Sequence, residues 1–254
     1  MSLNKKIFLV IWSAGTLSVL AVLPYAFALE ADLLQNVPVS LPVLALLSWL
    51  QSALLLAIAA SLGLLFARKV GFKFPILERL LSRSGDPIAW KDFLRLPITL
   101  GFLTAAAIAV GNWLFIAAGV VLNEKLISAI PVWKRFLASF YGGIGEETLM
   151  RLFLVSLFVW IFSKITRSRE PLSRSGLVWS AIVIVSILFG LGHLPATAAV
   201  GQLTPLVIAR ALVLNGIAGL VLGWLFWKKG FEAAVVAHFT ADLMILIVLP
   251  LITR

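Results

Sequence analysis

Seven stretches, at about 7–29, 41–67, 97–122, 136–163, 177–199, 204–227 and 231–251, are each apolar over the roughly 20 residues a helix needs to cross bilayer hydrocarbon. Lipid offers no hydrogen bonds, so a spanning segment must satisfy its own backbone, which a continuous apolar run does as an α-helix. The fold class this predicts is all-α: a polytopic membrane helix bundle of about seven transmembrane helices. Composition agrees, with 61% hydrophobic residues and a mean hydropathy of +1.07. Charged residues make up 13% of the chain, against about 25% in soluble domains. No Gly-, Ser- or Pro-rich linker, internal repeat or low-complexity tract divides the chain, so residues 1–254 are read as a single membrane domain.

A net charge of +10 would suit a nucleic-acid binder if the basic residues formed one patch. They sit instead between the apolar runs, so no nucleic-acid partner is expected. Lys5 and Lys6 precede the first run. Arg68, Lys69, Lys73, Arg79, Arg83, Lys91 and Arg95 follow the second, Lys164, Arg167, Arg169 and Arg174 the fourth, and Lys228 and Lys229 the sixth. The alternate side holds only Lys125, Lys134, Arg135, Arg210 and Arg254. The positive-inside rule then puts the N-terminus in the cytoplasm and the C-terminus outside. The first run, after Lys5 and Lys6, also admits a reading as a cleaved signal peptide, although it exceeds the usual ~7 to 15 apolar residues of such a segment. In the connection 68–96, FPILERLLSR places Ile76, Leu77, Leu80 and Leu81 on one helical face and Glu78, Arg79 and Arg83 on another. That pattern describes either a helix on the membrane surface or an ordinary amphipathic connector.

The informative residues are the polar ones inside the runs. A charge at the bilayer centre costs about 2.5 to 3.5 kcal/mol on insertion scales, so each must face protein or water and is a functional candidate. These are Glu146, Glu147, Arg151 and Asp242, joined by His193 and His238, the chain's two histidines. One buried histidine is ordinarily a packing residue; two sharing the membrane with three carboxylates make a site. Glu147 and Arg151 are four residues apart and can pair on one helical face. Glu146 points about 100° away from Glu147 and is not explained by that arginine. His238 and Asp242 are again four apart, a spacing that fits either a simple Asp to His hydrogen bond or a joint functional role.

Three carboxylates and one arginine leave net negative charge in hydrocarbon, which bound protons or a divalent metal would balance. With no cysteine in the chain, a metal needs nitrogen and oxygen ligands. Glu146, His193, His238 and Asp242 form such a shell, and equally a set that activates water; composition does not choose between them. Gly142, Gly143, Gly145, Gly190 and Gly192 lead into these residues and permit close helix approach. Gly216, Gly219 and Gly223 are read as packing alone. Pro195 is expected to end or kink the fifth helix near His193.

EETLMR at 146–151, FGLGH at 189–193 and HFTAD at 238–242 fall in order on separate runs. They resemble the E-E-x-x-x-R, F-x-x-x-H and H-x-x-x-N/D motifs of the CPBP intramembrane protease family. That family includes type 2 CAAX prenyl endopeptidases and bacterial bacteriocin-processing and immunity proteins. The resemblance covers about 136–249, including the approach WKKGFEAAVVAHF, and makes that segment the expected catalytic core. It implies an intramembrane endopeptidase in which Glu146 activates water and His193 holds it. His238 and Asp242 then stabilise the oxyanion or bind metal, while Glu147 and Arg151 shape the site. Aspartate where the motif also allows asparagine favours either a metal ligand or a group that orients His238. A divalent metal, zinc first, is the implied cofactor. The implied partners are the lipid bilayer and a membrane-associated peptide or protein substrate, lipidated or not. The expected location is the plasma membrane of a prokaryote. Two other functions fit the same residues: a catalytically inactive scaffold or immunity factor, and a proton-coupled transporter.

Overall fold

The computed structural model describes residues 1–35, 37–82 and 87–252. Arg83, Arg254 and the side chain of Lys125, read above for topology, lie outside the described residues. The chain is all-helical, with no strand among the described residues. Among the described residues, seven helices are long and apolar enough to cross a membrane: Leu3–Leu29, Leu41–Val70, Trp90–Ala117, Val132–Ile165, Ser175–Ala198, Pro205–Lys229 and Phe231–Leu251. They are called the first to seventh spans.

The largest departure from the sequence boundaries is in the third span, which begins at Trp90 and not near 97. Hydropathy marks where the apolar run starts, but the helix continues outward through Lys91, Asp92 and Arg95 with Pro97 inside it. It closes at Ala117, where Gly119 and Val120 donate to the carbonyls of Ile116 and Phe115 at 3.0 Å each. The fourth span starts at Val132, immediately after Pro131, and so takes Arg135 into the helix.

The basic connections meet at one end of the bundle. Lys6 Nζ donates to Leu81 O at 3.3 Å, Phe231 N to Lys73 O at 3.2 Å, and Trp227 Nε1 to Leu172 O at 3.2 Å. At the other end Asn123 N donates to Val200 O at 2.7 Å, and Leu29, Ile130 and Val200 form a small apolar cluster. The main core, which includes Ile7, Leu64, Leu152, Ile182, Leu222, Phe226 and Ala234, draws on the first, second, fourth, fifth, sixth and seventh spans. The first span is therefore a packed member of the bundle, with Ile7 and Ile11 buried and Trp12 Nε1 bonded to Ala53 O at 2.9 Å.

Between the second and third spans lies the short helix Pro75–Ser82. The sequence placed Leu80 on its apolar face with Ile76, Leu77 and Leu81. Leu77 and Leu81 pack on the core, but Leu80 is 55% exposed. The helix is oriented by polar ties that hydropathy does not register: Glu232 Oε1 accepts from Ile76 N at 3.1 Å and Leu77 N at 2.8 Å, and Arg68 Nη1 pairs with Glu78 Oε1.

Candidate active site

The fourth and seventh spans build the polar centre. Along the fourth, α-helix at Val132–Phe140 gives way to wider π turns at Tyr141–Glu146 and Thr148–Val155, then returns to α at Ser156–Ile165. Such turns inside α-helices recur at functional sites. The seventh span leaves the sixth through one residue, Gly230, whose φ of 97° and ψ of 175° suit glycine alone. That sharp reversal lays the seventh span alongside the fourth, where Gly142 supplies the room. A Cβ on Gly142 would stand 2.0 Å from Asp242 Oδ2 and 3.2 Å from His238 Nε2.

Glu147 is the hub. Its Oε1 accepts from Arg151 Nη1 at 2.8 Å and from His238 Nδ1 at 2.7 Å, and the residue is fully buried. The expected Glu147–Arg151 pair is present. The additional bond to His238, 91 residues away, is the one that spacing along a helix did not anticipate. An ionised carboxylate only accepts, so Nδ1 of His238 carries the proton there. The other ring nitrogen, Nε2, then faces Glu146 Oε2 at 3.6 Å and Asp242 Oδ1 at 3.7 Å. Those separations are too long for direct hydrogen bonds. The bond that fixes the His238 ring thus comes from Glu147.

The two adjacent glutamates differ in access as well as partners. The Glu146 side chain is 22% exposed and that of Asp242 21%, while Glu147 is sealed. Arg151 spreads its buried guanidinium over several neighbours. Nη2 reaches Gly219 O at 3.4 Å, and the group lies 5.0 Å from the Phe189 ring centroid. Gly219 is accordingly more than a packing glycine. Gly219 and Gly223 do let the fifth span approach closely, since a Cβ on either would collide with Ser186 or Ile182; one on Gly216 would meet open space.

His193 stands where the fifth span breaks, between Ser175–Gly192 and Leu194–Ala198, as Pro195 predicted. Its Nδ1 lies 2.9 Å from Phe189 O, the geometry of an Nδ1–H donor, which leaves Nε2 as an acceptor. The Phe189 ring lies edge-on to His193, with centroids 4.6 Å apart, and to His238 at 5.8 Å. No hydrogen bond or ion pair joins His193 to Glu146, His238 or Asp242 among the described residues. The four residues named as a metal shell are therefore not drawn into one: no group of three or more His, Asp or Glu able to hold a metal ion occurs among the described residues. No chemical step is derived through a metal.

Sequence reading missed Arg135, counted above as a topology residue beside Lys134. It is fully buried, its Nη1 donates to Leu246 O at 2.8 Å, and its Nε and Nη2 have no partner. Leu246 is one turn beyond Asp242 on the seventh span, so a second guanidinium stands on the side of the carboxylates away from the basic end. The charge balance changes accordingly: two buried arginines and His238 oppose three carboxylates. Both tyrosines of the chain also belong here, Tyr141 within electrostatic reach of Glu146 and Tyr25 of Asp242 and Arg135.

Seven membrane-crossing helices around a centre of carboxylates, imidazole and guanidinium define an integral membrane protein with a polar site inside its bundle. Residues 128–244, which carry all three motifs, match the family described as Type II CAAX prenyl endopeptidase Rce1-like. This segment is thereby similar to the CPBP/CAAX protease family, whose members are in general proteases. No curated protein and no solved structure matches the chain.

Proposed function

We propose that the protein is an intramembrane endopeptidase that hydrolyses a peptide bond of a membrane-associated or lipidated peptide or protein, using Glu146 to activate water. The observation that carries this reading is the unequal fate of the two glutamates. Glu147 is locked to Arg151 and His238, whereas Glu146 is partly accessible and faces Nε2 of the histidine that Glu147 orients. A positioned glutamate carboxylate can take a proton from water as a general base.

In this mechanism Glu146 takes a proton from a water molecule, and the hydroxyl oxygen bonds to the scissile carbonyl carbon. The carbonyl oxygen gains negative charge, which Nε2–H of a protonated His238 or a protonated Asp242 stabilises. Glu146 then returns the proton to the amide nitrogen as the C–N bond breaks, giving a new carboxyl group and a free amine. His193, tethered through Nδ1, holds water with Nε2. We place the basic end of the bundle in the cytoplasm of a prokaryotic cell, following the lysine and arginine pattern.

The test compares purified wild type with Glu146→Gln and His193→Ala on prenylated and unmodified membrane-anchored peptides, with and without chelator. Glu146→Gln is expected to lower kcat by about 10²- to 10⁴-fold, the usual contribution of a general base. Wild-type cleavage that survives both substitutions overturns the site assignment, and loss of activity on chelation overturns the metal-free form of the mechanism.

A further inference from the structure

A cavity of about 550 Å³ opens between the first and second spans at the basic end of the bundle, and none of the residues of the polar centre line it. Its size lies within the ~300 to 1,000 Å³ of ordinary small-ligand sites. The lining divides by chemistry. Lys5, Arg68 and Lys69 stand at the mouth, and Phe8, Leu64 and Leu65 form the apolar wall. Arg68 is engaged with Asn4 Oδ1 at 3.1 Å and with the Glu78 carboxylate, so Glu78 offsets one positive charge. Lys69 lies 5.4 Å over the Trp160 ring, and Lys5 has no partner among the described residues. The lysines therefore leave two positive charges at the mouth, and no carboxylate is among the lining residues.

Below the mouth, Leu65, Leu62 and Ile58 are 46%, 37% and 49% exposed and follow one another at helical spacing down the second span. They make an apolar track from the cavity into the hydrocarbon region. A basic mouth over an apolar track matches one molecule in both halves: a diacyl phospholipid with an anionic headgroup. We infer that this groove is a binding site for an anionic phospholipid, with the phosphate held by Lys5 and Lys69 and an acyl chain lying along Leu65, Leu62 and Ile58. Basic pockets between helices at the membrane surface recognise lipid phosphates in this way. Because the groove is separate from the polar centre, the inference is independent of the proposed activity.

The test is native mass spectrometry of the full-length protein in detergent with equimolar phosphatidylglycerol and phosphatidylcholine. The expected result is preferential retention of phosphatidylglycerol, weakened about twenty-five-fold in the double variant K5Q/K69Q, from roughly a factor of five per lysine. K228Q/K229Q, which removes a basic pair at the same end but outside the groove, is expected to leave retention unchanged. S61W fills the groove without altering charge and is expected to abolish retention, which keeps the test valid if K5Q/K69Q does not fold. Four results would overturn the inference: equal retention of the two lipids, undiminished retention in K5Q/K69Q or S61W, an equal loss in K228Q/K229Q, or displacement by millimolar inorganic phosphate. Stronger binding of a farnesylated peptide than of phosphatidylglycerol would also overturn it, by making the groove a substrate site.

Discussion

Two glutamates, one at the centre of the bundle and one at its basic end, are built alike and used differently. Glu147 and Glu232 each engage partners through Oε1 alone, and each leaves Oε2 buried without a partner. The partners of Glu147 are the guanidinium of Arg151 and the imidazole of His238, groups that carry or move charge. The partners of Glu232 are two backbone N–H groups at the start of the helix Pro75–Ser82. The first arrangement sets the protonation and direction of a ring facing an accessible carboxylate. The second caps a helix end and fastens the connection to the seventh span. A buried carboxylate is thus not itself a sign of chemistry; the groups it binds decide.

The largest effect expected from breaking the comparison is at Glu147. Glu147→Ala leaves Arg151 buried without its charge partner and releases His238, a change that costs about 3 to 5 kcal/mol when a buried pair loses one member. Thermal unfolding in detergent should show a large fall in Tm, and proteolysis should fall with it. The combination Glu147→Gln with Arg151→Met removes both charges while keeping an acceptor for His238 Nδ1. It should recover most of the lost stability without recovering activity. Recovery of both would show that the reaction needs an acceptor for His238 Nδ1 at position 147 but not the charge of Glu147.

A smaller effect is expected at Gly142. The added methyl of Gly142→Ala must displace Asp242 Oδ2, which lies 2.0 Å from the Cβ position. Overpacking of this kind costs about 1 to 3 kcal/mol. Because the displaced group belongs to the polar centre, activity should fall further than stability. Gly216→Ala on the sixth span, where the Cβ meets open space, is the control and should change neither.

Much of this was legible in the sequence, for identifiable reasons. Seven apolar runs report seven helices because the bilayer imposes both length and composition. The Glu147–Arg151 pair and the break at His193 follow from local rules, spacing in one case and Pro195 in the other. What escaped were contacts between distant segments. His238 is the second partner of Glu147 only because the one-residue turn at Gly230 and the side-chain-free face at Gly142 bring the fourth and seventh spans together. Arg135 looked like a flanking charge because it follows Lys134 near a run boundary. Only the helix start after Pro131 shows that it is inside. The π turns have one local correlate, the glycines at 142, 143 and 145, and that composition also fits ordinary close packing.

The smallest effect, and the one that most sharpens the comparison, belongs to Glu232. Its carboxylate does the work of a cap, and losing a cap typically costs about 0.5 to 2 kcal/mol. Glu232→Ala frees the N–H groups of Ile76 and Leu77 at the basic end of the bundle, where water can take them up. The helix Pro75–Ser82 should loosen while the polar centre, six residues further along the seventh span at His238, keeps its geometry. Hydrogen exchange followed by mass spectrometry should show faster exchange confined to peptides around 74–82, and peptides containing 141–155 should stay protected. Cleavage by Glu232→Ala should remain within a fewfold of wild type. If activity instead falls as far as in Glu147→Ala while the fold survives, the distinction between the two glutamates fails, and the connection at the basic end must be counted as part of the active site.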